Sequence, residues 1–253
     1  MIAPASAPAA GNVNVAALQV ALSAHSIHVG TIDGVAGPNT TAAVRLFQRR
    51  KGLPVDGIAG PQVRRALGRL GRHRLGSRAM HSGDVGWDVA ALQFRLAWHG
   101  FPSGTFDGGF GPHLDAAVRR FQRWVGLTPD GIAGPATLRS LRRHPIPASP
   151  IRLHWPLSAP VGDGYGPRGN RFHTGLDLLA SSGTAVRAAG SGRVTFAGFD
   201  DGYGNLVVIE HGSGVSSWYA HLSRIGVSDR ESVSAGELIG RVGATGDAAG
   251  PHL

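Results

Sequence analysis

Cysteine is absent from the 253 residues, so no disulfide can hold this chain together and its domains must be held by packed cores. The absence leaves the compartment open, because an exported chain with real cores can dispense with disulfides. Lysine is nearly absent too. Lys51 is the only one, and arginine supplies almost all of the 25 cationic side chains. Acidic residues number 16, which leaves a net charge of +9. An excess of that sign points to a polyanionic partner such as nucleic acid, an anionic membrane surface or an acidic wall polymer. Solvated arginine-rich helix faces would produce the same balance. Aromatic residues make up 7% of the chain, and the densest basic run, Arg49-Arg50-Lys51, is short and has no aromatics interleaved with it, which argues against nucleic acid. No apolar run reaches the roughly 18 residues a membrane span requires, so none is expected. The first residues, Met1 to Ala10, lack the positive and apolar regions of a leader, so residues 1–13 are expected to be a flexible start and any export signal to lie elsewhere.

What is present begins with a duplication. Val15-Ala-Ala-Leu18-Gln19 returns as Val89-Ala-Ala-Leu92-Gln93, and Gly30-Thr-Ile-Asp33-Gly34 as Gly104-Thr-Phe-Asp107-Gly108. Ala42-Ala-Val44-Arg-Leu-Phe47-Gln48 returns as Ala116-Ala-Val118-Arg-Arg-Phe121-Gln122, and Asp56-Gly-Ile-Ala-Gly-Pro61 as Asp130-Gly-Ile-Ala-Gly-Pro135. The offset is 74 residues each time. Each copy predicts three short helices. The first is expected to start at Asn14 or Asp88 as N-cap, the second at Pro38 or Pro112, and the third at Pro61 or Pro135, where proline suits the first turn. The Asp-Gly pairs between them read as tight turns. A unit of this size has a marginal core, which suits a modest binding module.

These residues resemble the peptidoglycan-binding module found at the ends of cell-wall hydrolases. The match rests on Gly83-Asp84-Val-Gly86, the Val-x-x-Leu-Gln helix, and Phe-Gln followed by Asp-Gly-x-x-Gly-Pro. It covers residues 14–69 and 83–142, with a join at 70–82. The first copy lacks the Gly-Asp lead-in. Singly, these residues read as turn chemistry, and no ligand contact is assigned to any of them. A Pro-rich linker is expected at 143–156.

Beyond Pro156 the pattern changes to short β-prone runs at Arg193–Ala197, Asn205–Glu210, Val215–Tyr219, 232–233 and 238–242, divided by Gly- and Asp-rich turns. An antiparallel sheet or open barrel is the expected architecture for 157–253. The whole chain is therefore expected to be multidomain α + β. Histidines and an aspartate recur here in glycine-rich settings: His173 and Asp177, His221 after Trp218-Tyr219-Ala, and His252 after Gly250-Pro251. Such side chains are the ligand types of a hydrolytic zinc site, where three protein ligands leave a position for water. Taken singly, each would read as a solvated or structural group. Their order and spacing carry the weight.

Residues 153–253 resemble the lysostaphin-type zinc endopeptidases, the M23 or LytM-like family. The likeness lies in His173-x-x-x-Asp177, Tyr219-x-His221-Leu222 and Gly250-Pro-His252. Supporting matches are Gly166-Pro-Arg168, Gly183-Thr-Ala-Val186, Tyr203-Gly-Asn205 and Gly243-Ala-Thr245-Gly246. The resemblance implies a Zn2+ cofactor held by His173 and Asp177, with His221 and His252 as catalytic histidines. It implies peptidoglycan as substrate and anchor, at an extracellular or cell-wall location, and the net positive charge adds anionic wall polymers as a further expected partner. The family's third zinc ligand falls at position 254, one beyond Leu253. As written, the chain is therefore expected to bind zinc weakly and to be impaired in hydrolysis. The alternative class is a non-catalytic, LytM-like activator of other wall hydrolases. A third, the D-Ala-D-Ala carboxypeptidases, needs a longer His-to-Asp spacing and a downstream Glu-x-x-His that this chain lacks.

Overall fold

The computed structural model describes residues 11–143, 151–212 and 215–253. Most of the expected flexible start, and the centre of the expected Pro-rich linker, lie outside the described residues. Among the described residues six α-helices precede nine β-strands, so the fold is α + β as expected. Two compact units emerge. One holds the six helices together with Tyr165–Thr174; the other holds Gly175–Leu253 with the segment leading to Gly164.

The helical unit follows the duplication. Its first repeat has α1 (Val13–Ala24), α2 (Pro38–Arg50) and α3 (Pro61–Ala66), then a short 3-10 helix at Gly68–Gly71. The second has α4 (Trp87–Trp98), α5 (Pro112–Trp124) and α6 (Pro135–Arg143). Proline opens the second and third helices of both repeats, as expected, because its missing N–H would have had no partner there anyway. Both first-helix caps differ from expectation. Asn12, not Asn14, caps α1, its side chain accepting from the Asn14 N–H at 2.8 Å. Gly86 precedes α4, and Asp88 lies in its first turn. The Asp88 carboxylate is engaged by the guanidinium of Arg78 at 2.8 Å and so serves an ion pair.

The Asp-Gly turns are more than turns. Four times a buried glutamine reaches across and clamps one. Gln19 Nε2 donates to Asp33 Oδ1 at 2.8 Å while its carbonyl accepts from the Gly34 N–H at 2.9 Å. Gln48 does the same with Asp56 and Gly57, Gln93 with Asp107 and Gly108, and Gln122 with Asp130 and Gly131. Each glycine has a positive φ, between 72° and 78°, which brings its N–H round to the amide. Replacing Gln122 by leucine would strand the Gly131 N–H and remove the donations to Asp130 and Thr137, whose own hydroxyl still donates to Ile132 O. At about 1 kcal/mol per lost bond, plus the cost of orphaned partners, a loss of about 2–4 kcal/mol is expected. Urea titration followed by far-ultraviolet circular dichroism would measure it.

Helix α4 shows why the repeats are one body. Eleven of its twelve residues are buried, so it is covered nearly all round. Ala90, Ala91, Phe94, Ala97 and Trp98 join Leu18, Leu22, Phe47 and Val63 of the first repeat in one core. Val89, Leu92 and Leu96 face the other way, into a core with Leu114, Val118, Phe121 and Leu141. The stretch 70–82, read as a join, completes the 3-10 helix and sends Leu75 against both cores.

A hairpin of β1 (Gly166–Arg168) and β2 (Arg171–His173) belongs to this same unit. Phe172 packs edge-on to Trp98 at 5.3 Å, and the Tyr165 hydroxyl donates to the Ala97 carbonyl at 2.8 Å. Backbone bonds from Ile32 N–H to Gly169 O and from Phe106 N–H to Asn170 O fix its tip.

The sheet unit contains β3 (Ala185–Arg187), β4 (Gly192–Asp200), β5 (Gly204–Glu210), β6 (Ser216–Leu222), β7 (Arg224–Ile225), β8 (Ser232–Val233) and β9 (Leu238–Arg241). They form two antiparallel sheets, ordered β6-β5-β4-β8 and β3-β9-β7. Val186, Val194, Val207, Ile209, Leu222 and Ile239 make the core between them. Central β5 reads as a continuous apolar run, Leu206-Val-Val-Ile209, because it is buried on both faces.

Candidate active site

Three of the four singled-out residues come together in the sheet unit. The rings of His221 and His252 lie 4.7 Å apart between centroids, and His252 Nε2 is 3.8 Å from Asp177 Oδ1. His173 ends β2, within the hairpin described with the helical unit.

Each of the three is delivered by backbone pairing. Asp177 is gripped on both sides of its peptide unit: its N–H donates to Asp163 O and its carbonyl accepts from Gly162, both at 2.8 Å. Leu178 and Leu253 exchange backbone bonds at 2.9 and 3.1 Å, and His252 N–H donates to Gly243 O at 3.2 Å. The segment bearing His252 is thus laid between the Asp177 segment and the end of β9. His221 stands one residue before the end of β6 in a left-handed conformation, φ 59°, which costs a non-glycine residue about 1 kcal/mol. Two bonds hold it there: its N–H to Tyr203 O and its ring Nδ1 to Thr245 O, both at 2.8 Å.

Those ring contacts decide the chemistry. A carbonyl can only accept, so Nδ1 of His221 must donate to Thr245 O, and Nδ1 of His252 must donate to Gly250 O at 2.8 Å. In the neutral form both rings therefore carry the proton on Nδ1 and present an Nε2 lone pair, ready to take a proton or a metal. The pair is more than four-fifths buried on the His252 and Asp177 side, with side chains 16% and 18% exposed.

Behind His221 lies support that residue-type reasoning missed. Thr245 Oγ1 donates to Leu222 O and accepts from the Asn205 N–H, both at 2.9 Å, and Asn205 Nδ2 donates to Leu222 O as well. The two loops can touch only because both carry glycine. A Cβ at Gly204 would fall 2.4 Å from Thr245, and one at Gly246 would fall 2.3 Å from Gly204 N. The signal was present as Tyr203-Gly-Asn205 and Thr245-Gly246, but a hydroxyl and an amide in loops announce no role by themselves. Beside the site, Trp218, more than half exposed, stacks edge-on to Tyr203 at 5.4 Å.

The donor types, imidazole Nε2 and carboxylate, suit zinc. Among the described residues, however, no three His, Asp or Glu side chains gather closely enough to hold a metal ion. What the sheet unit assembles is a histidine pair against one acid. That constellation can accept and pass on a proton and can donate to a developing oxyanion.

Residues 171–253 match peptidase family M23, and residues 11–67 and 86–141 each match the peptidoglycan binding domain. The chain carries a peptidase family M23 domain, with two peptidoglycan-binding regions ahead of it. It is similar to "DD-carboxypeptidase/endopeptidase Mpg" of Neisseria meningitidis serogroup B, 51% identical over 33% of this chain and 19% of that protein. It also resembles "N-acetylmuramoyl-L-alanine amidase CwlM" of Mycobacterium tuberculosis, 48% identical over 39% of this chain and 25% of that protein. Among solved structures, the catalytic domain of lysostaphin from Staphylococcus simulans is 38% identical over 37% of this chain and 75% of that one, with a TM-score of 0.36. The chain thus spans a quarter or less of the length of these two curated relatives. Among the described residues no helix is long and apolar enough to cross a membrane.

Proposed function

We propose that this chain is a zinc-dependent endopeptidase that hydrolyses peptide bonds in peptidoglycan stem or cross-bridge peptides, working outside the cell at the wall. The observation that carries the reading is the paired His221 and His252, each donating from Nδ1 to a backbone carbonyl so that Nε2 is the free ring nitrogen of the neutral form, with His252 set against Asp177. The two helical repeats anchor the enzyme and raise its effective concentration at the cross-links, so neither repeat needs high affinity. His173 and Asp177 are the residues that would hold zinc, which when bound polarises a carbonyl and acidifies water. The histidines supply the rest: one takes the proton of the attacking water, and the other, as imidazolium, donates to the oxyanion and then to the leaving amine.

Backbone register supports a further ligand from a longer chain. Leu178 and Leu253 exchange both backbone bonds, the mark of a directly opposed antiparallel pair. Position 254 would then stand opposite Asp177, on the same face. A chain extended by histidine there is expected to bind zinc more tightly than the chain ending at Leu253.

The test is digestion of purified sacculi by both chains, with and without chelator, the released fragments read by mass spectrometry. Chelator-sensitive new amino termini would support the endopeptidase. If both chains pellet with the wall and neither releases a peptide end, the protein is a wall-binding activator and the enzymatic reading fails.

A further inference from the structure

Where the two repeats meet, the helical unit has an open groove of about 790 Å3 whose walls include Arg64, Arg65, Arg72, Arg74, Trp87 and Asn14. No carboxylate lines it. Among the described residues, none of these four arginines forms an ion pair; the pairs engage Arg78, Arg119, His81 and His252. Like charges gathered without a counter-charge repel one another, an arrangement that favours an anion arriving from outside.

The groove has a built wall. Trp87 opens α4 of the second repeat, yet its indole N–H donates to Asn14 Oδ1 at 3.2 Å and its backbone N–H to Arg72 O at 3.1 Å, both in the preceding repeat and join. The Arg64 guanidinium lies 4.5 Å from the Trp87 ring centroid, a cation–π contact that fixes its plane. One terminal nitrogen donates to Gly71 O at 3.1 Å, while Nε is buried with no partner. Burial first, then the neighbouring charge of Arg74, pulls Arg64 below the ordinary arginine range. An orphaned, buried N–H on a held guanidinium is a donor short of an acceptor. Arg65, Arg72 and Arg74 are exposed around it.

We propose that this groove binds an oxyanion-bearing chain of the cell wall, whose carboxylates or phosphodiesters are taken by the guanidinium forks of Arg64, Arg72 and Arg74. Guanidinium suits both anions because its parallel N–H groups match two oxygens. A single repeat cannot form the groove, since its wall joins α3 and the 3-10 helix of one copy to the first residue of α4 in the next. Duplication therefore adds a charge-selective site at the junction. The proposal rests on reading the helical unit as a wall anchor and adds to it a place and a charge class.

The test is co-sedimentation of the full chain with three sacculus preparations: intact, stripped of phosphodiester polymers with hydrofluoric acid, and amidated on its carboxylates. Wild type is compared with Arg72→Gln/Arg74→Gln, whose side chains are exposed, and with Arg64→Gln. Circular dichroism confirms that each is folded. The double variant is expected to bind intact sacculi about tenfold more weakly at low salt, the scale of two lost charge-assisted contacts, with the gap closing near 0.5 M salt. A gap that vanishes on stripped sacculi assigns phosphodiesters; one that vanishes on amidated sacculi assigns carboxylates. Equal binding of variants and wild type to all three overturns the groove and leaves the anchor standing. Failure of wild type to bind any sacculus overturns both. Stronger retention on a single-stranded oligonucleotide than on intact sacculi overturns the proposal in favour of nucleic acid.

Discussion

Replacing Arg78 by alanine is expected to destabilise the helical unit by about 3–5 kcal/mol, the range for breaking a buried ion pair from one side. Arg78 bridges two carboxylates, donating from Nε to Asp88 at 2.8 Å and from a terminal nitrogen to Asp84 at 2.6 Å. The Asp88 side chain is fully buried and Asp84 is 13% exposed, so removing the guanidinium leaves a buried charge behind. Arg78 itself is 28% exposed, and water can reach part of the gap, so the lower end of that range is the expected value. Removing the acid as well should recover much of the loss: Arg78→Met/Asp88→Leu is expected to be more stable than Arg78→Ala in urea. Equal midpoints for the two would refute the explanation. The same cluster predicts acid sensitivity. Burial pushes the Asp84 carboxyl upward, but the His81 N–H and the Arg78 charge outweigh it, so the group sits below the ordinary carboxylate range. A depressed folded value means stabilisation that is complete above about pH 4 and lost as pH falls through the folded value. Arg78→Ala should weaken that acid-sensitive component and keep the share that the His81 N–H supplies.

Under the proposed function, peptide-bond hydrolysis should fall by about 10²–10⁴ in His221→Asn, the usual share of a positioned acid or base. Asparagine is the informative choice because it accepts the left-handed backbone that His221 adopts at φ 59°, whereas alanine would add strain to the loss of the ring. The fold should then change little, since the N–H bond to Tyr203 survives. Retention of more than a tenth of wild-type release of peptide ends would refute a proton-transfer role. His252→Ala should act in the same direction. Because the two histidines serve one step, the double variant should lose little more than either single one.

Much of this was legible beforehand for identifiable reasons. Proline at first-turn positions marked the second and third helices of each repeat, because proline's missing N–H acts locally. The strand runs from Arg193 to Glu210 were legible because β-branched and aromatic residues sit between Gly- and Asp-rich turns. The caps were misread by two residues, since asparagine at 12 and 14 are equally good in isolation and only the fold chooses. The glutamine clamps were invisible in kind: Gln19 and Asp33 lie 14 residues apart, and nothing local says that an amide will cross to a turn. Likewise, His221 and His252 stood out by their motifs, and the fold brings their rings to 4.7 Å. Their tautomers were not legible, because these depend on carbonyls of Thr245 and Gly250 that any sequence would supply.

The hairpin Tyr165–Thr174 bears on how such proteins can be recombined. Sequence similarity to peptidase family M23 begins at Arg171, and a designer grafting that module onto a new anchor would cut nearby. Yet Phe172 has its aromatic partners in Trp98 and Phe106, on the helical side of such a cut. A chimera cut at Arg171 would carry Phe172 into solvent and leave Trp98, Phe106 and Tyr165 without its ring on the donor. The helical unit and the M23-matching segment of this chain are therefore expected to exchange freely only with partners that bring a matching aromatic socket.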